Sequence, residues 1–136
     1  MSNLVFEYPV TIRELHLDSF GHVNNAVYAQ LYEEARWDFI TKNGFGLDRI
    51  NELQIGPVIL DMKIRFKREL LNREVILIKS HALAIVSSRI MVLEQTMYKP
   101  DGKVASEAEF TVGLFDMKER KLVDATPEWL KAIGVK

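Results

Sequence analysis

A change of hydrophobic period constrains this chain more than any other feature. Between residues 25 and 43, Tyr28, Leu31, Tyr32, Ala35 and Phe39 recur at i, i+3, i+4, i+7 and i+11, one face of a helix. Gln30, Glu33, Glu34 and Asp38 fall largely on the opposite face. From residue 57 the period drops to two. Over 58–68, Met62, Ile64 and Phe66 share one face, while Asp61, Lys63, Arg65 and Lys67 share the other. The stretches 74–86, 88–98 and 103–116 are strand-like, rich in β-branched residues. A first strand is expected over 4–12, where Pro9 marks a sheet edge or a strand end.

The punctuation between these stretches agrees with them. Asn24 and Asn25 are good helix caps, and Gly44 is placed to stop the helix just past Lys42-Asn43. Such a helix is about 27 Å long, enough to cross a sheet. Residues 44–56 read as a loop with a helical turn around 47–53. Ser87-Ser88 and Pro100-Asp101-Gly102 are turn signals, and Thr126-Pro127 opens a short final helix. The order is strand, long helix, then four strands joined by short turns. It predicts an antiparallel sheet with one face to bury and one amphipathic helix to cover it. The expected class is α+β: a five-stranded antiparallel sheet wrapped around one long central helix. No repeat or linker-like run divides the chain, so residues 1–136 are read as one domain.

Composition excludes several classes. Lys+Arg 18 against Asp+Glu 19 leaves a net charge of −1, so no global field draws the chain to nucleic acid or to a membrane surface. Cysteine is absent, which removes disulfides, thiolate metal sites and cysteine nucleophiles. The only histidines are His16, His22 and His81, too few for a His-rich metal centre, and no metal is expected. No apolar run approaches the ~20 residues needed to span a bilayer, and no signal peptide is read at the start. A cytoplasmic protein without a membrane span is the expectation.

One segment concentrates chemistry: Asp18-Ser19-Phe20-Gly21-His22-Val23-Asn24-Asn25-Ala26-Val27-Tyr28, leading into Tyr32-Glu33-Glu34-Ala35-Arg36. Asp18 and His22 both precede the helix start. The first N–H groups of a helix lack internal partners and sit at its positive end, where a developing oxyanion can be held. A carboxylate beside them is placed to attack a carbonyl or to deprotonate a water that does so. Taken singly, each residue has a plainer role. Asp18 suits a turn, Asn24 and Asn25 suit caps, His22 suits a hydrogen-bonded structural post, and the Tyr/Leu stripe suits the core.

In combination and order, this segment resembles the hotdog-fold acyl-CoA thioesterases of the 4-hydroxybenzoyl-CoA thioesterase class. The resemblance rests on Asp18, the Gly21-His22-Val23-Asn24-Asn25 run, Tyr28 and Glu33-Glu34-Ala35-Arg36, and the strand–helix–strands order extends it over nearly the whole chain. It implies a hotdog fold with the long helix at its centre. Asp18 falls at the family's catalytic aspartate, nucleophile or general base. The backbone N–H of Asn25 falls at its oxyanion donor, and His22 at an orienting or polarising position. Asn24 would cap the helix or lock the loop. Phe20 and Tyr28 would line the acyl pocket, with Leu60 supplied by a partner chain. After residue 66 the chain departs from the usual pattern, lacking the nearby Pro and the Gly-Asp turn.

Coenzyme A belongs to such an enzyme's substrate, and no separate cofactor is implied. Its phosphates match Lys63, Arg65 and Lys67, which share a strand face; a solvated cationic face is the plainer reading. One helix cannot cover both faces and the edges of the sheet, and Ile76, Ile78 and Val92 are read as outward-facing apolar residues. A homodimer or homotetramer is therefore expected, as the family resemblance also implies. Two rivals remain: a thioesterase acting on acyl carrier protein, and a non-catalytic acyl-CoA-binding hotdog protein.

Overall fold

The computed structural model describes residues 3–136. Strand β1 (Val5–Thr11) leads through a 3-10 turn (Glu14–His16) and a loop into helix α1 (Asn25–Lys42). Helix α2 (Leu47–Leu53) and strands β2 (Ile55–Phe66), β3 (Val75–Ser87), β4 (Ile90–Tyr98) and β5 (Val104–Asp116) follow. A short strand β6 (Lys121–Val123) and helix α3 (Pro127–Ala132) end the fold.

Helix α1 is bounded by its sequence. The Asn24 side chain accepts from the Ala26 N–H at 2.8 Å, satisfying one of the orphan donors at the start. At the far end Gly44 takes a φ of 91°, the Gly44 N–H reaches Thr41 O at 3.0 Å and the Phe45 N–H reaches Ile40 O at 2.9 Å. Those two bonds form a Schellman closure, which a side chain with a Cβ adopts only with strain. The buried face is Tyr28, Leu31, Tyr32, Ala35, Arg36, Phe39 and Ile40. The apolar stripe read from the sequence is all there, joined by Ile40 and, unexpectedly, by a charged residue.

The sheet order is β1-β3-β4-β5-β2, with every neighbouring pair antiparallel, and β6 pairs with β5. Pro9 lies on edge strand β1, as its missing N–H requires. The expected run of four hairpin-linked strands holds for β3, β4 and β5 but not for β2, which crosses the sheet to pair with β5. The link 67–74 makes that crossing. Lys67 and Arg68 N–H groups bind Ala105 O, Arg73 N–H binds Ile12 O, and Leu70 is fully buried. Lys99 Nζ fastens the same link through Glu69 O at 2.6 Å and Glu74 Oε1 at 2.8 Å. The sixth strand was not expected. Pairing of β4 with β5 starts at Ile90↔Gly113, and β6 takes the open side beyond it, from Leu114 to Asp116.

One sheet face carries Ile76, Ile78, Met91, Leu93, Met97, Ala108, Phe110, Val112 and Leu114 against α1. Ile76 and Ile78 are 1% and 0% exposed, which corrects their expected outward placement. Pairing of Ile78 with Met97 fixes the strand phase and turns both inward. The exposed apolar residues of β3 are Val75 at its start and Leu83, Ile85 and Val86 at its far end. Within the core lies a polar chain. Tyr32 OH and Ser106 Oγ are 2.7 Å apart, Gln95 Nε2 donates to Ser80 Oγ and Tyr32 O, and Arg36 Nη1 donates to Gln95 Oε1 at 3.0 Å. No helix is long and apolar enough to cross a membrane among the described residues.

Candidate active site

The loop before α1 is a closed ring. Leu17 and Val23 form a β-bridge, and the Asp18 N–H donates to His22 O at 2.7 Å. The Gly21 N–H returns to Asp18 O at 3.1 Å, with Gly21 at a φ of 80°. The Asp18 carboxylate holds the ring from inside: Oδ1 accepts from the Phe20 N–H at 2.9 Å and from the His22 N–H at 3.2 Å. One carboxylate oxygen thus forms an Asx-type turn. Oδ2 takes no hydrogen bond among the described residues, so the group keeps a lone-pair face for chemistry.

The ring delivers its end to the helix. Asn24 caps α1, and Asn25 is the first helical residue, where the N–H has no intrahelical partner. Beside it runs an open groove of about 330 Å3 lined by His22, Asn25, Tyr28, Phe66, Arg68 and Glu69. The structure therefore brings Asp18, His22, Asn24, Asn25 and Tyr28 together at one helix terminus. Tyr28 is 5% exposed, and its ring meets Phe66 edge-on at 4.9 Å. Burial pushes its hydroxyl pKa above the ordinary value, so it stays a neutral donor near neutrality. Phe20 stands out at the loop tip, 84% exposed.

Glu69 was not singled out from the sequence. Its Oε2 lies 2.8 Å from His22 Nε2, which requires the hydrogen on that nitrogen and leaves Nδ1 as the second functional atom. Glu69 is itself held at its carbonyl by Lys99. No spacing rule ties residue 69 to residue 22; only the crossover link juxtaposes them. Phe66 and Arg68 reach the groove by the same route.

Of the other expected residues only Lys67 lines this groove, and the rest lie elsewhere. Lys63 and Arg65 pair across the sheet with Glu109 and Glu107, on the face away from α1, and share a small surface pocket with Glu94. Lys67 Nζ is 3.1 Å from Glu107 Oε1. This face is charge-compensated rather than simply basic. Leu60 sits at a β-bulge between Ile59 and Asp61, its side chain lying over Gly113. It is about 20 Å along β2 from the Phe66 end, so within one chain it does not reach the groove. Arg73 is bound to Glu14, whereas Arg68 makes no ion pair among the described residues.

A single antiparallel sheet packed against one long helix is the architecture that the resemblance to the hotdog thioesterases implies. Comparison with known proteins agrees: the chain belongs to the thioesterase-like superfamily, whose family model matches residues 10–133. It is 30% identical over 113 residues to the long-chain acyl-CoA thioesterase FadM of Escherichia coli, covering 82% of this chain and 84% of that protein. It is 30% identical over 115 residues to the chloroplastic acyl-acyl carrier protein thioesterase ATL2 of Arabidopsis thaliana, covering 84% of this chain and 61% of that one. The solved structure of the probable thioesterase YbaW from Escherichia coli superposes with a TM-score of 0.82 at 27% identity, over 96% of this chain and 98% of that one.

Proposed function

We propose that this chain hydrolyses acyl-CoA thioesters to free acid and coenzyme A. The observation that carries the reading is the ring of residues 17–23, which leaves one Asp18 carboxylate oxygen without a hydrogen bond in the loop leading into the helix start, where the first N–H has no intrahelical partner. Asp18 Oδ2 attacks the thioester carbonyl carbon, or takes a proton from the water that does. The Asn25 N–H holds the oxyanion as the carbonyl becomes tetrahedral. The oxyanion then collapses, the C–S bond breaks and the coenzyme leaves as its thiolate, which takes up a proton; on the base route the free acid forms directly, and on the nucleophile route water then hydrolyses the acyl–Asp18 anhydride to release it. His22, steadied by Glu69, orients or polarises the reacting groups. Asn24 keeps the N–H donors in line, and Tyr28 and Phe20 contact the acyl part. Arg68, in the groove and without an ion pair among the described residues, meets the phosphates. Lys67, paired with Glu107, and Lys63 and Arg65, faced by Glu109 and Glu107, contribute less.

The working unit in this reading is a dimer joined through β2. That strand ends the sheet order, and Ile59, Leu60, Met62 and Phe66 along it are exposed. Two copies of one strand paired antiparallel about a two-fold axis set the Phe66 end of each against the Ile55 end of the other. The groove of one protomer then adjoins the cleft between α1 and β2 of its partner, and Leu60 of the partner subunit approaches it.

The test is thiol release from a panel of acyl-CoAs and acyl-acyl carrier protein, wild type against Asp18→Asn, with mass measured by light scattering. Release that the substitution abolishes, from a dimer or tetramer, supports the reading. Turnover confined to the carrier protein moves the substrate to that thioester. Silence with a folded protein sinks the enzymatic reading in favour of acyl-CoA binding.

A further inference from the structure

A second cavity, of about 110 Å3, lies between α1 and β2, away from the groove at the helix start. Trp37, Ile40, Pro57 and Ile59 form its walls, and it opens past exposed Glu33. Two polar groups in its lining keep N–H donors that the fold leaves without an acceptor among the described residues. The first is Arg36, only 7% exposed. Its guanidinium lies 4.1 Å over the Phe110 ring, and its one side-chain hydrogen bond among the described residues goes to Gln95 Oε1. Gln95 is neutral and spends its Nε2 on Ser80 and Tyr32, so it supplies an acceptor but no counter-charge. Glu33, one turn earlier on α1, is exposed and makes no ion pair with Arg36 among the described residues, and its charge offsets only part of the burial. Burial accordingly pulls the Arg36 pKa down to about 10.

The second group is the Trp129 indole. The residue is 0% exposed, and its Nε1–H is a buried donor without a partner. A buried indole N–H nearly always finds an acceptor, and a desolvated cation is costly without one. Both groups only donate. Both residues line one apolar cavity, Trp129 with its N–H just beneath the surface, where a water-sized group does not touch it until the wall gives; the cavity has room for the end of an acyl chain and none for a nucleotide.

We infer that this cavity receives the far end of the acyl group and selects for tails bearing an acceptor oxygen, a carboxylate or a terminal ketone, over plain hydrocarbon. Arg36 and Trp129 are its specificity-determining residues. The inference rests on the proposed thioesterase reading for the identity of the ligand, and on the two-fold geometry for its reach. Along its own helix the cavity lies about 16 Å from Asn25, whereas the β2 pairing brings the partner's groove to its mouth.

The experiment compares dicarboxylic, terminal-ketone and unsubstituted acyl-CoAs of matched medium and long chain length. Wild type is set against Trp129→Phe, which keeps the ring and removes only the N–H, and against Arg36→Met. Wild type should show a higher kcat/KM for the oxygenated tails, carried mostly in KM. Trp129→Phe should reduce that preference about fivefold and Arg36→Met about ten- to a hundredfold, the ratio of oxygenated to hydrocarbon kcat/KM being taken within each variant. Equal use of oxygenated and plain tails, or a preference that neither substitution moves, overturns the inference and leaves thioester hydrolysis standing.

A second readout is independent of turnover. Both tryptophans of the chain, Trp37 and Trp129, line this cavity, so intrinsic fluorescence reports on it directly. Titration with benzoate should saturate and weaken at least tenfold in Arg36→Met, while toluene, which keeps the ring without the carboxylate, should not discriminate. If no thioester is hydrolysed but benzoate binds in this way, the cavity assignment stands without the enzymatic reading. If benzoate binds no better than toluene, the cavity is a water-filled gap and the assignment falls.

Discussion

Replacing Asp18 by Asn tests the chemistry with little disturbance of the fold, because the structure separates the two jobs of this carboxylate. Oδ1 accepts the Phe20 and His22 N–H groups, and an amide oxygen can accept both in the same place. The loss there is the difference between charged and neutral hydrogen bonds, about 1 kcal/mol on a half-exposed loop. What Asn cannot do is attack a carbonyl or take a proton from water. Loss of that step should lower kcat about 10²- to 10⁴-fold, or about 3–5 kcal/mol of transition-state stabilisation, with KM little changed. The assay is thiol release at saturating acyl-CoA, with thermal unfolding recorded on the same samples. Asp18→Ala is the contrasting variant, since it also strips the ring of its acceptor and should melt a few degrees lower. Asp18→Asn retaining a third or more of wild-type kcat refutes the assignment. A variant that loses activity and stability together shows instead that the carboxylate is chiefly a loop post.

His22→Ala should lower kcat less than Asp18→Asn, and Glu69→Gln less again while altering the pH–rate profile; an Asp18-sized collapse in His22→Ala makes that imidazole central to the reaction. Arg68→Ala should raise KM about tenfold for acyl-CoA and barely for an acyl-pantetheine lacking the nucleotide, exceeding the effect of Lys63→Ala or Arg65→Ala; equal effects of all three on both substrates remove the phosphate contact. The Arg49 hydrogen bonds hold the Glu128 carboxyl below its ordinary value of 4.5 and tie α2 to α3. A depressed carboxylate pKa contributes stability that is present above 4.5 and lost as pH falls through the lowered value. Melting temperature followed from neutral pH into that range should therefore fall more for wild type than for Glu128→Gln, and parallel curves remove the linkage.

Much of this molecule is legible in the chain because local rules govern it. The helix announces both ends, Asn24 by its side-chain acceptor and Gly44 by the positive φ that its closure needs. Pro9 points to an edge because it cannot donate to a ladder. The carboxylate ring is local too, since Asp18 reaches Phe20 and His22 within a few residues. The readings that failed share a cause, which is pairing between distant segments. Nothing in 67–74 says that the chain crosses the sheet, so β2 was read beside β3 and Glu69 was not linked to His22. The phase of β3 is set by β4, which is why Ile76 and Ile78 point inward. The three residues of β6 carry too short a pattern to register and depend on where β4 stops.

Arg36 shows the limit of periodicity most directly. By spacing it belongs to the same helical face as Tyr32 and Phe39, yet a pattern search scores a guanidinium as polar and assigns it to solvent. Its burial becomes intelligible only with Phe110 and Gln95 beneath it, contributed by two other strands 59 and more residues away. The functional ring at the helix start and the charged floor of the α1–β2 cavity thus differ in kind. The ring is written in consecutive residues and stands out as a motif, whereas the cavity is assembled by the sheet order and has no linear signature. A chain that works as proposed therefore announces its reaction more readily than its substrate, because the residues assigned to the reaction are local and those assigned to the acyl tail are not.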